Sequence, residues 1–313
     1  MTASRALRVA VAIALTAFVL WQADAAAVWR ATARANWSWI GAAVALVLID
    51  RALNAWRWID LLCALTPGSR PPFSAVLRIF FVSTFVGSFL PSVGGDAYRA
   101  YSLSQYDVRL AQSAASVLMD RVLGVLAIAL LGAVALAAGP DAGASRAAAI
   151  SIAIAGAVCA AVAAVVFSAR AAALAQAIIG RLPWASVQRA GRSLLAAVQR
   201  YSQHHAELVR VLLVSLGVQV IRVLQAYCLG RALAIDLPLA TYFLLISIVL
   251  LVMLLPVTVN GLGTSQLAFD YLFGHAGVPS AQAVALSILF VGLGLVGNVP
   301  GVLLYASEGG RRR

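Results

Sequence analysis

The sequence predicts an all-α fold, that of a polytopic membrane protein with about six full transmembrane helices plus two re-entrant hairpins in an inverted repeat. Of its 313 residues, 63% are hydrophobic and only 11% are charged, whereas soluble domains carry roughly 25% charged residues. The apolar residues form runs long enough to cross a bilayer as helices. Two of these runs end in proline- and glycine-rich backbone followed by polar side chains.

The basic residues of the chain are all arginine, and they give it a net charge of +12. GC-rich codon usage explains this bias better than a functional preference for guanidinium, which would rest on its bidentate grip on phosphate. Many arginines fall where cytoplasmic loops are expected, and no cluster of them is interleaved with aromatic residues. The composition therefore does not predict nucleic acid as a partner.

The three cysteines, Cys63, Cys159 and Cys228, lie in or beside apolar runs. Their spacing matches neither a metal site nor an obvious disulfide pairing. We interpret them as small packing residues, and we expect neither a metal nor a cofactor.

The N-terminal run allows two interpretations. Arg5 and Arg8 precede the apolar residues 9–28, and Ala23-Asp24-Ala25 resembles the cleavage site of a signal peptide. A first transmembrane helix with a cytoplasmic N-terminus is the preferred interpretation, because the run is long enough to span a bilayer.

The second predicted span, residues 37–62, carries polar residues between tryptophans that mark both of its ends, as an interfacial belt would. Asp50, Asn54 and Arg57 recur at i, i+4 and i+7 and therefore share one face of a helix. Asp50 and Arg51 lie deep enough for a role in a polar interior. Arg57 fits equally well as an anchor that snorkels to the cytoplasmic surface.

Two stretches interrupt apolar runs with proline and glycine: residues 89–99 and residues 255–266. Each consists of an apolar run, a proline, glycine-rich backbone and then polar side chains. Lipid offers no partner for broken backbone or for charge, so both features are costly in a membrane. We therefore predict that this pair of stretches builds the working site.

Two further spans carry charges that need partners. In the span 110–138, Asp120 and Arg121 are adjacent and cannot face each other on a helix, so each partner must lie elsewhere. In the span 208–233, Gln219, Arg222 and Gln225 recur at i, i+3 and i+6. Arg222 is too far from either end to snorkel, which favours a polar cavity over a purely structural buried partner.

Residues 170–207 are the only sizeable polar segment and carry five arginines. We expect amphipathic helix on the cytoplasmic surface, where anionic lipid would attract each arginine by about 1 kcal/mol. The adjacent His204 and His205 would point to different faces of a helix, which argues against a metal site.

The distribution of arginine predicts the topology. The six expected spans are residues 9–28, 37–62, 110–138, 147–168, 208–233 and 280–305. With the N-terminus inside, they place residues 170–207 and the C-terminal arginines in the cytoplasm, as the positive-inside rule requires. Each interrupted stretch must then be a pair of arms, either a re-entrant hairpin or a double crossing. The short arm 267–273 favours hairpins, the first entering from the cytoplasm and the second from outside.

These spans form one integral membrane domain over residues 1–313, with halves at about 1–140 and 145–308. Each half consists of span, span, hairpin and span, in opposite orientations. That order is typical of inverted-repeat transporters, whose broken helices meet near the bilayer midplane. Sequence identity between the halves is slight beyond the proline–glycine–polar pattern.

Motifs at four places, taken in order, resemble one known family. They are Arg51 with Trp56-Arg57-Trp58; Pro91, Gly94, Gly95, Asp96 and Arg99; Asp120-Arg121 with Gly124; and Pro256, Gly261, Gly263 and Gln266. The family is the flippase-like one named for the transmembrane region of lysylphosphatidylglycerol synthase. It also includes dolichol-phosphate-glucose synthetase-like and hopanoid-associated membrane proteins.

The chain departs from the pattern of that family in two places. The family usually has glutamate where this chain has Gln266, and often glutamate where it has Asp120. The first departure argues against a mechanism that needs a carboxylate or a proton at the second hairpin. Bifunctional members carry a soluble aminoacyltransferase domain after the membrane part, and because this sequence ends at Arg313 we expect no synthase activity.

The resemblance and the polar residues together favour a lipid translocase of the bacterial inner (cytoplasmic) membrane, with both termini cytoplasmic. It would move a lipid or lipid-linked intermediate with a polar or anionic headgroup between leaflets. The expected partners are that lipid and a lipid-biosynthesis enzyme. The sequence shows no nucleotide-binding motif, so the drive would come from a gradient or from lipid supply and consumption.

Two alternatives remain at this point: an accessory scaffold for a lipid-modifying enzyme, and a transferase acting on a polyprenyl lipid. The transferase is the weaker one, because the sequence offers no DxD-type pair and no convincing nucleophile with a base. We therefore expect no enzymatic activity.

The predicted headgroup site combines backbone and charge. Glycine N–H groups of the hairpins would hold phosphate oxygens, as helix N-termini do. Arginines would neutralise the headgroup, and Asp96 and Asp120 would occupy those arginines when the site is empty. The first hairpin would supply the charge and the second mainly its backbone. The predicted residues are Arg51, Gly94, Gly95, Asp96, Arg99, Asp120, Arg121, Arg222, Asn260, Gly261, Gly263 and Gln266.

Overall fold

The computed structural model describes residues 29–30, 32–65, 72–89, 94–104, 108–138, 145–254 and 263–300. Within these ranges the fold is all-α, with eleven bounded α-helices, a 3-10 helix at Arg200–Gln203 and no strand. The helices are α1 Trp37–Leu65, α2 Phe73–Phe89, α3 Gly94–Ser104, α4 Leu110–Ala138, α5 Ser145–Phe167, α6 Ala169–Gly180, α7 Ala185–Gln199, α8 His205–Ala232, α9 Leu239–Met253, α10 Thr264–His275 and α11 Ser280–Val296.

Three helices in the described part are both long and apolar enough to cross a membrane: α1, α4 and residues 149–167 of α5. They coincide with three of the predicted spans. Helix α8 coincides in extent with a fourth, and its 28 residues include the predicted polar ones. The predicted span 9–28, with its cleavage-site motif, lies outside the described residues.

The exposed face of α5 indicates whether water or lipid surrounds the protein. Ile150, Ile154 and Val158 lie four residues apart, on one face of the helix, and each is more than half exposed. Soluble monomers rarely expose a contiguous apolar stripe of this kind. Lipid is the surrounding that stabilises it, and the chain is an integral membrane protein.

Helices α1 and α8 form the most extensive helix pair and run antiparallel. Asp50 of α1 contacts Arg222 of α8. Seven residues further along α1, Arg57 contacts Ser215, which lies seven residues earlier in α8. Because residue numbers rise along α1 as they fall along α8, the two helices are antiparallel. Their polar faces meet along one interface.

A glutamine side chain hydrogen-bonds the start of α4 to the end of α1. A second glutamine hydrogen-bonds the start of α11 to the end of α8. Gln112, the third residue of α4, donates to the carbonyl oxygen of Leu65 at 3.4 Å. Gln282, the third residue of α11, donates to the carbonyl oxygen of Leu233 at 3.3 Å. The start of α4 therefore lies beside the end of α1, and the start of α11 lies beside the end of α8.

The arms of both interrupted stretches fold back on each other. In the first, Arg99 of α3 returns to Ser83 of α2, with 3.4 Å between Nε and Oγ, and to the ring of Phe80. In the second, Phe273 of α10 returns to Tyr242 of α9, with ring centroids 5.5 Å apart. The short arms α3 and α10 have 11 and 12 residues, about 17 and 18 Å at 1.5 Å per residue, which is too short to cross a hydrocarbon core of about 30 Å.

The segment predicted as one amphipathic helix, residues 170–207, contains two helices. α6 and α7 are separated by the turn at residues 181–184, and the 3-10 helix follows. The 3-10 helix holds the segment against the end of α1, because Tyr201 donates to the carbonyl oxygen of Leu61 and Arg200 to that of Leu65. Burial raises the pKa of the Tyr201 hydroxyl, which keeps it a hydrogen-bond donor.

Candidate functional site

The candidate site begins at the middle of α1. Arg51 is the central residue of this 29-residue helix, and Asp50 beside it is almost completely buried. The carboxylate of Asp50 accepts hydrogen bonds from Nη1 of Arg51 at 3.2 Å and from Nε of Arg222 at 3.1 Å. One buried aspartate thus holds two arginines from two different helices, and the group carries a net charge of +1.

A cavity of about 180 Å³ opens beside this charged group. Its polar lining comes from Asp50, Arg51, Arg222, Gln225 and Asn298. Both arginines keep part of their side chains exposed, 16% for Arg51 and 27% for Arg222. Arg222 thus lines this cavity, and its ion pair with Asp50 is a part of that cavity's wall.

The rest of the cavity lining is mainly apolar. It includes Leu250 and Met253 from the end of α9, together with Phe290 and Val291 from α11. A lining of charged and apolar residues suits an amphipathic guest, because small-molecule sites combine apolar walls with a few placed polar groups.

Two donors at the cavity have no hydrogen-bond partner among the described residues. They are Nε of Arg51 and Nε2 of Gln225, both buried. Gln225 is only 4% exposed. A buried donor without a partner costs about 1–3 kcal/mol, so the protein bears this cost in the wall of the cavity.

Two glycines at the end of α11 lie close to Arg51. Nη2 of Arg51 donates to the carbonyl oxygen of Gly294 at 3.2 Å. A Cβ atom added at Gly297 would lie 2.9 Å from Val47 Cγ2 and 3.2 Å from Arg51 Nε. The close approach of the end of α11 to α1 therefore depends on the absence of a side chain at Gly297.

A second buried charge cluster lies two turns further along α1, roughly 10 Å away along the helix axis. Asp120 of α4 accepts from Nε of Arg57 at 2.7 Å and from Nη1 of Arg99 at 3.5 Å. All three residues are at most 7% exposed. The interpretation of Arg57 as a snorkelling anchor is therefore wrong: Asp120 and the hydroxyl of Ser215 satisfy its guanidinium inside the protein.

Aromatic rings enclose the outer arginine of this cluster. The guanidinium of Arg99 lies 5.0 Å from the ring centroid of Trp58 and 4.7 Å from that of Phe80. Trp58 is itself fixed by a hydrogen bond from its indole Nε1 to Ser116 Oγ, 3.1 Å long. Cation–π contacts of this kind stabilise a partly desolvated guanidinium.

The adjacent residues Asp120 and Arg121 find separate partners, as predicted. Arg121 pairs with Asp96, in the first turn of α3. A carboxylate in that position also interacts favourably with the helix dipole. Gly94 begins the same helix and Gly95 is buried next to Asp96, so the first hairpin joins the second cluster through its helix start.

Two buried polar side chains lie between the two clusters, one on α1 and one on α8. Asn54 donates to the backbone oxygen of Asp50 at 2.7 Å, and Gln219 donates to that of Gly124 at 3.4 Å. Oε1 of Gln219 is buried without a hydrogen-bond partner in the described ranges. These residues add polar atoms between Asp50 and Arg57 inside otherwise apolar packing.

The second hairpin contributes its backbone to the start of α10. Gly263 has φ +85°, a conformation that favours glycine. Its N–H donates to Oε1 of Gln266 at 2.6 Å, and the Ser265 hydroxyl donates to the same oxygen at 3.0 Å. Gln266 thus caps a helix, a role for which glutamine and glutamate are both suited. Asn260 and Gly261 lie outside the described residues.

A family profile described as lysylphosphatidylglycerol synthase TM region matches residues 5–301. The chain belongs to this family. No curated protein is significantly similar to the chain. The residues that carried the resemblance to the family fall into three places in the structure. Arg51 is at the cavity; Arg57, Arg99 and Asp120 form the second cluster; and Gly263 and Gln266 form the helix cap.

The predicted site residues of this family member that the structure describes thus do not form one site. Arg51 and Arg222 line the cavity, Arg99 and Asp120 belong to the second cluster, Asp96 pairs with Arg121, and Gly263 and Gln266 form the cap. Four residues were missing from the predicted set: Asp50, Arg57, Gln225 and Asn298. The i, i+4, i+7 spacing of Asp50, Asn54 and Arg57 was the available signal for two of them. Nothing in the sequence indicates that α11 brings Asn298 to the same cavity.

Proposed function

We propose that this family member is a lipid translocase that moves a lipid, or a lipid-linked intermediate, with a polar or anionic headgroup between the leaflets of a membrane. One observation carries the proposal: a cavity with a net charge of +1 lies beside the central residue of a membrane-spanning helix. Charged groups at such depth are costly and usually functional. A headgroup that crosses about 30 Å of hydrocarbon needs a polar station of this kind.

The mixed lining of the cavity supports the same proposal. Arg51 and Arg222 would receive the headgroup, while the apolar residues Met253 and Phe290 would contact the glycerol region next to it.

The pairing of helices supports an inverted repeat with two re-entrant hairpins. Helices α1 and α8 hold equivalent places in the two halves and are antiparallel, as an in-plane pseudo-twofold axis requires. Gln112 and Gln282 make equivalent hydrogen bonds after the two hairpins. We propose six full crossings, a place in the bacterial inner membrane, and cytoplasmic termini.

Leaflet exchange in reconstituted vesicles tests the function. The purified protein is inserted into vesicles that contain a trace of fluorescent phosphatidylglycerol, and a membrane-impermeant quencher reports the fraction in the outer leaflet over time. We expect the wild type to accelerate exchange and Arg222→Ala to slow it by about tenfold or more, since an arginine that contacts a desolvated anion contributes several kcal/mol. Arg222→Lys should retain part of the rate.

Arg231→Ala is the matched control. It lies on the same helix and its partner, Asp236, is 93% exposed, so exchange should equal that of the wild type. Exchange by Arg222→Ala at the wild-type rate would exclude the cavity as the path. Failure of the wild-type protein to accelerate exchange of any lipid would exclude the translocase and favour a scaffold.

A further inference from the structure

The cavity beside Arg51 is built for one negative charge. Its charged lining consists of Arg51, Arg222 and Asp50, and no other charged side chain of the described residues lines it. Two cations and one anion leave +1. A guest with a single negative charge brings the group to neutrality, whereas a doubly charged guest leaves an excess negative charge in a buried site.

Asp50 already accepts hydrogen bonds from the two arginines that a guest anion would contact. Its carboxylate accepts from Nη1 of Arg51 and from Nε of Arg222. It is almost fully buried, and it belongs to the rigid middle of α1. An incoming phosphate therefore shares both arginines with a fixed internal anion.

The exposed parts of the two arginine side chains, 16% of Arg51 and 27% of Arg222, are where a guest would bind beside that internal anion. A guanidinium carries only donors, so these groups select an acceptor-rich group such as a phosphate. The volume of about 180 Å³ is below the roughly 300 Å³ at which drug-sized sites begin, so it accommodates the phosphate region of a lipid and leaves its chains outside.

We propose that Asp50 is the charge-selecting residue of this cavity: it is an internal counterion that makes the site specific for lipid phosphodiesters with one negative charge over phosphomonoesters with two. The inference rests on the proposed function for the identity of the guest as a lipid. It goes beyond that function by assigning the headgroup charge and the residue that sets it.

Variants that change the charge of the lining distinguish charge selection by Asp50 from a purely structural role. Asp50→Asn raises the charge of the lining from +1 to +2 and should move the preference toward the phosphomonoester. Arg222→Gln lowers the charge to zero and should weaken binding of both anions. Asp50→Glu keeps the charge and should keep the wild-type preference. A residue needed only for folding would change stability without reordering the ligands.

Thermal stabilisation of the purified protein in detergent measures this preference without requiring transport, because a ligand that binds the folded state raises its stability. The probes are dioctanoyl phosphatidylglycerol, a phosphodiester, and dioctanoyl phosphatidic acid, a phosphomonoester. At pH 8 the phosphomonoester is doubly charged, since its second pKa is about 6. Inorganic phosphate is the third probe and distinguishes a lipid site from an ion site.

For the wild type we expect the phosphodiester to bind more tightly than the phosphomonoester. The affinity ratio should fall by about tenfold or more in Asp50→Asn, because unit charges at about 4 Å interact strongly even at an effective dielectric constant of about 20. Asp236→Asn, which removes an exposed carboxylate, should leave the ratio unchanged.

An affinity ratio that is the same in the wild type and in Asp50→Asn overturns the inference. If Asp50→Asn does not fold, the decision passes to Arg222→Gln and Asp50→Glu: an unchanged affinity in the former, or a reordered preference in the latter, overturns it. Equal stabilisation by inorganic phosphate and by the lipids overturns the assignment to lipid. A switched binding preference without leaflet exchange in vesicles would retain the inference and exclude the translocase.

Discussion

Arg57 and Arg51 illustrate two ways in which this protein accommodates arginine within α1. Arg57 is buried and donates to Asp120 and to Ser215. Arg51 shares Asp50 with Arg222 and lines the cavity, with 16% of its side chain exposed. The first arrangement is enclosed by protein, while the second is open to a guest. Charge at membrane depth therefore has different consequences within two turns of one helix.

The buried pair of Arg57 and Asp120 should contribute strongly to stability. Removing one partner of a buried ion pair costs about 3–5 kcal/mol, because the other charge is left uncompensated. We expect Arg57→Ala to lower the free energy of unfolding by roughly this amount, measured by denaturant titration in detergent.

Arg210→Ala is the comparison for this prediction. Arg210 pairs with Asp60 at 3.4 Å, but 55% of its side chain is exposed, and exposed pairs contribute about 0–1 kcal/mol. Similar losses for Arg57→Ala and Arg210→Ala would contradict the view that Arg57 is a buried structural residue.

At the scale of the helices, α8 and α9 approach each other at one glycine. A Cβ atom added at Gly230 would lie 1.8 Å from Tyr242 Oη and 2.7 Å from its Cζ. The Tyr242 hydroxyl is buried without a hydrogen-bond partner in the described part of the chain. This contact therefore depends on shape, and the hydroxyl contributes little to it.

Gly230→Ala should destabilise the protein by about 1–3 kcal/mol through overpacking. Gly217→Ala, in the same helix, meets no atom within 4 Å and should be neutral or stabilising by up to about 1 kcal/mol. Thermal unfolding in detergent measures both.

Tyr242→Phe tests whether the Tyr242 hydroxyl causes the clash with a side chain at position 230. It removes the nearest clashing atom, so the double variant Gly230→Ala/Tyr242→Phe should be more stable than Gly230→Ala alone. Additive losses in the double variant would locate the strain elsewhere, since contacting residues are expected to couple.

Much of the helical arrangement could be predicted from the sequence. Apolar runs bounded by turn residues located α1, α4, α5 and α8 to within a few residues. The adjacent charges Asp120 and Arg121 correctly required separate partners. Charge parity predicts paired arms at both interruptions, and their re-entrant course stays a prediction.

The pairing of the charges could not be predicted from the sequence. Asp50 contacts Arg222 across 172 positions of the chain, and helix periodicity gives the face of each helix without its neighbour. Arg57 is an example: an anchor and a buried role were equally open, because depth in a span cannot distinguish a snorkelling side chain from one that meets a carboxylate on another helix. The separation into two clusters follows from the antiparallel packing of α1 and α8.

At the scale of the whole molecule, the proposed inverted repeat predicts opposite exposure of the two hairpins. Single cysteines are placed at Phe73 and Tyr101, in the arms of the first, and at Leu239 and Tyr271, in those of the second; all four side chains are exposed. The background replaces Cys63, Cys159 and Cys228, which are buried.

A membrane-impermeant maleimide applied to intact cells should label the pair at Leu239 and Tyr271 from outside. The pair at Phe73 and Tyr101 should react only after the membrane is opened. Labelling of all four positions from the same side would contradict the inverted arrangement.

The most direct test of the central claim, that a lipid headgroup passes through the cavity beside Arg51, is a reversible block of leaflet exchange. Met253→Cys places a thiol on the cavity wall, and Leu213→Cys places one on the exposed surface of α8. A bulky methanethiosulfonate is attached to each in reconstituted vesicles and then removed with a reducing agent. The account predicts that modification at position 253 stops exchange and that reduction restores it, while modification at position 213 has no effect. Undiminished exchange with the cavity thiol fully modified would contradict it.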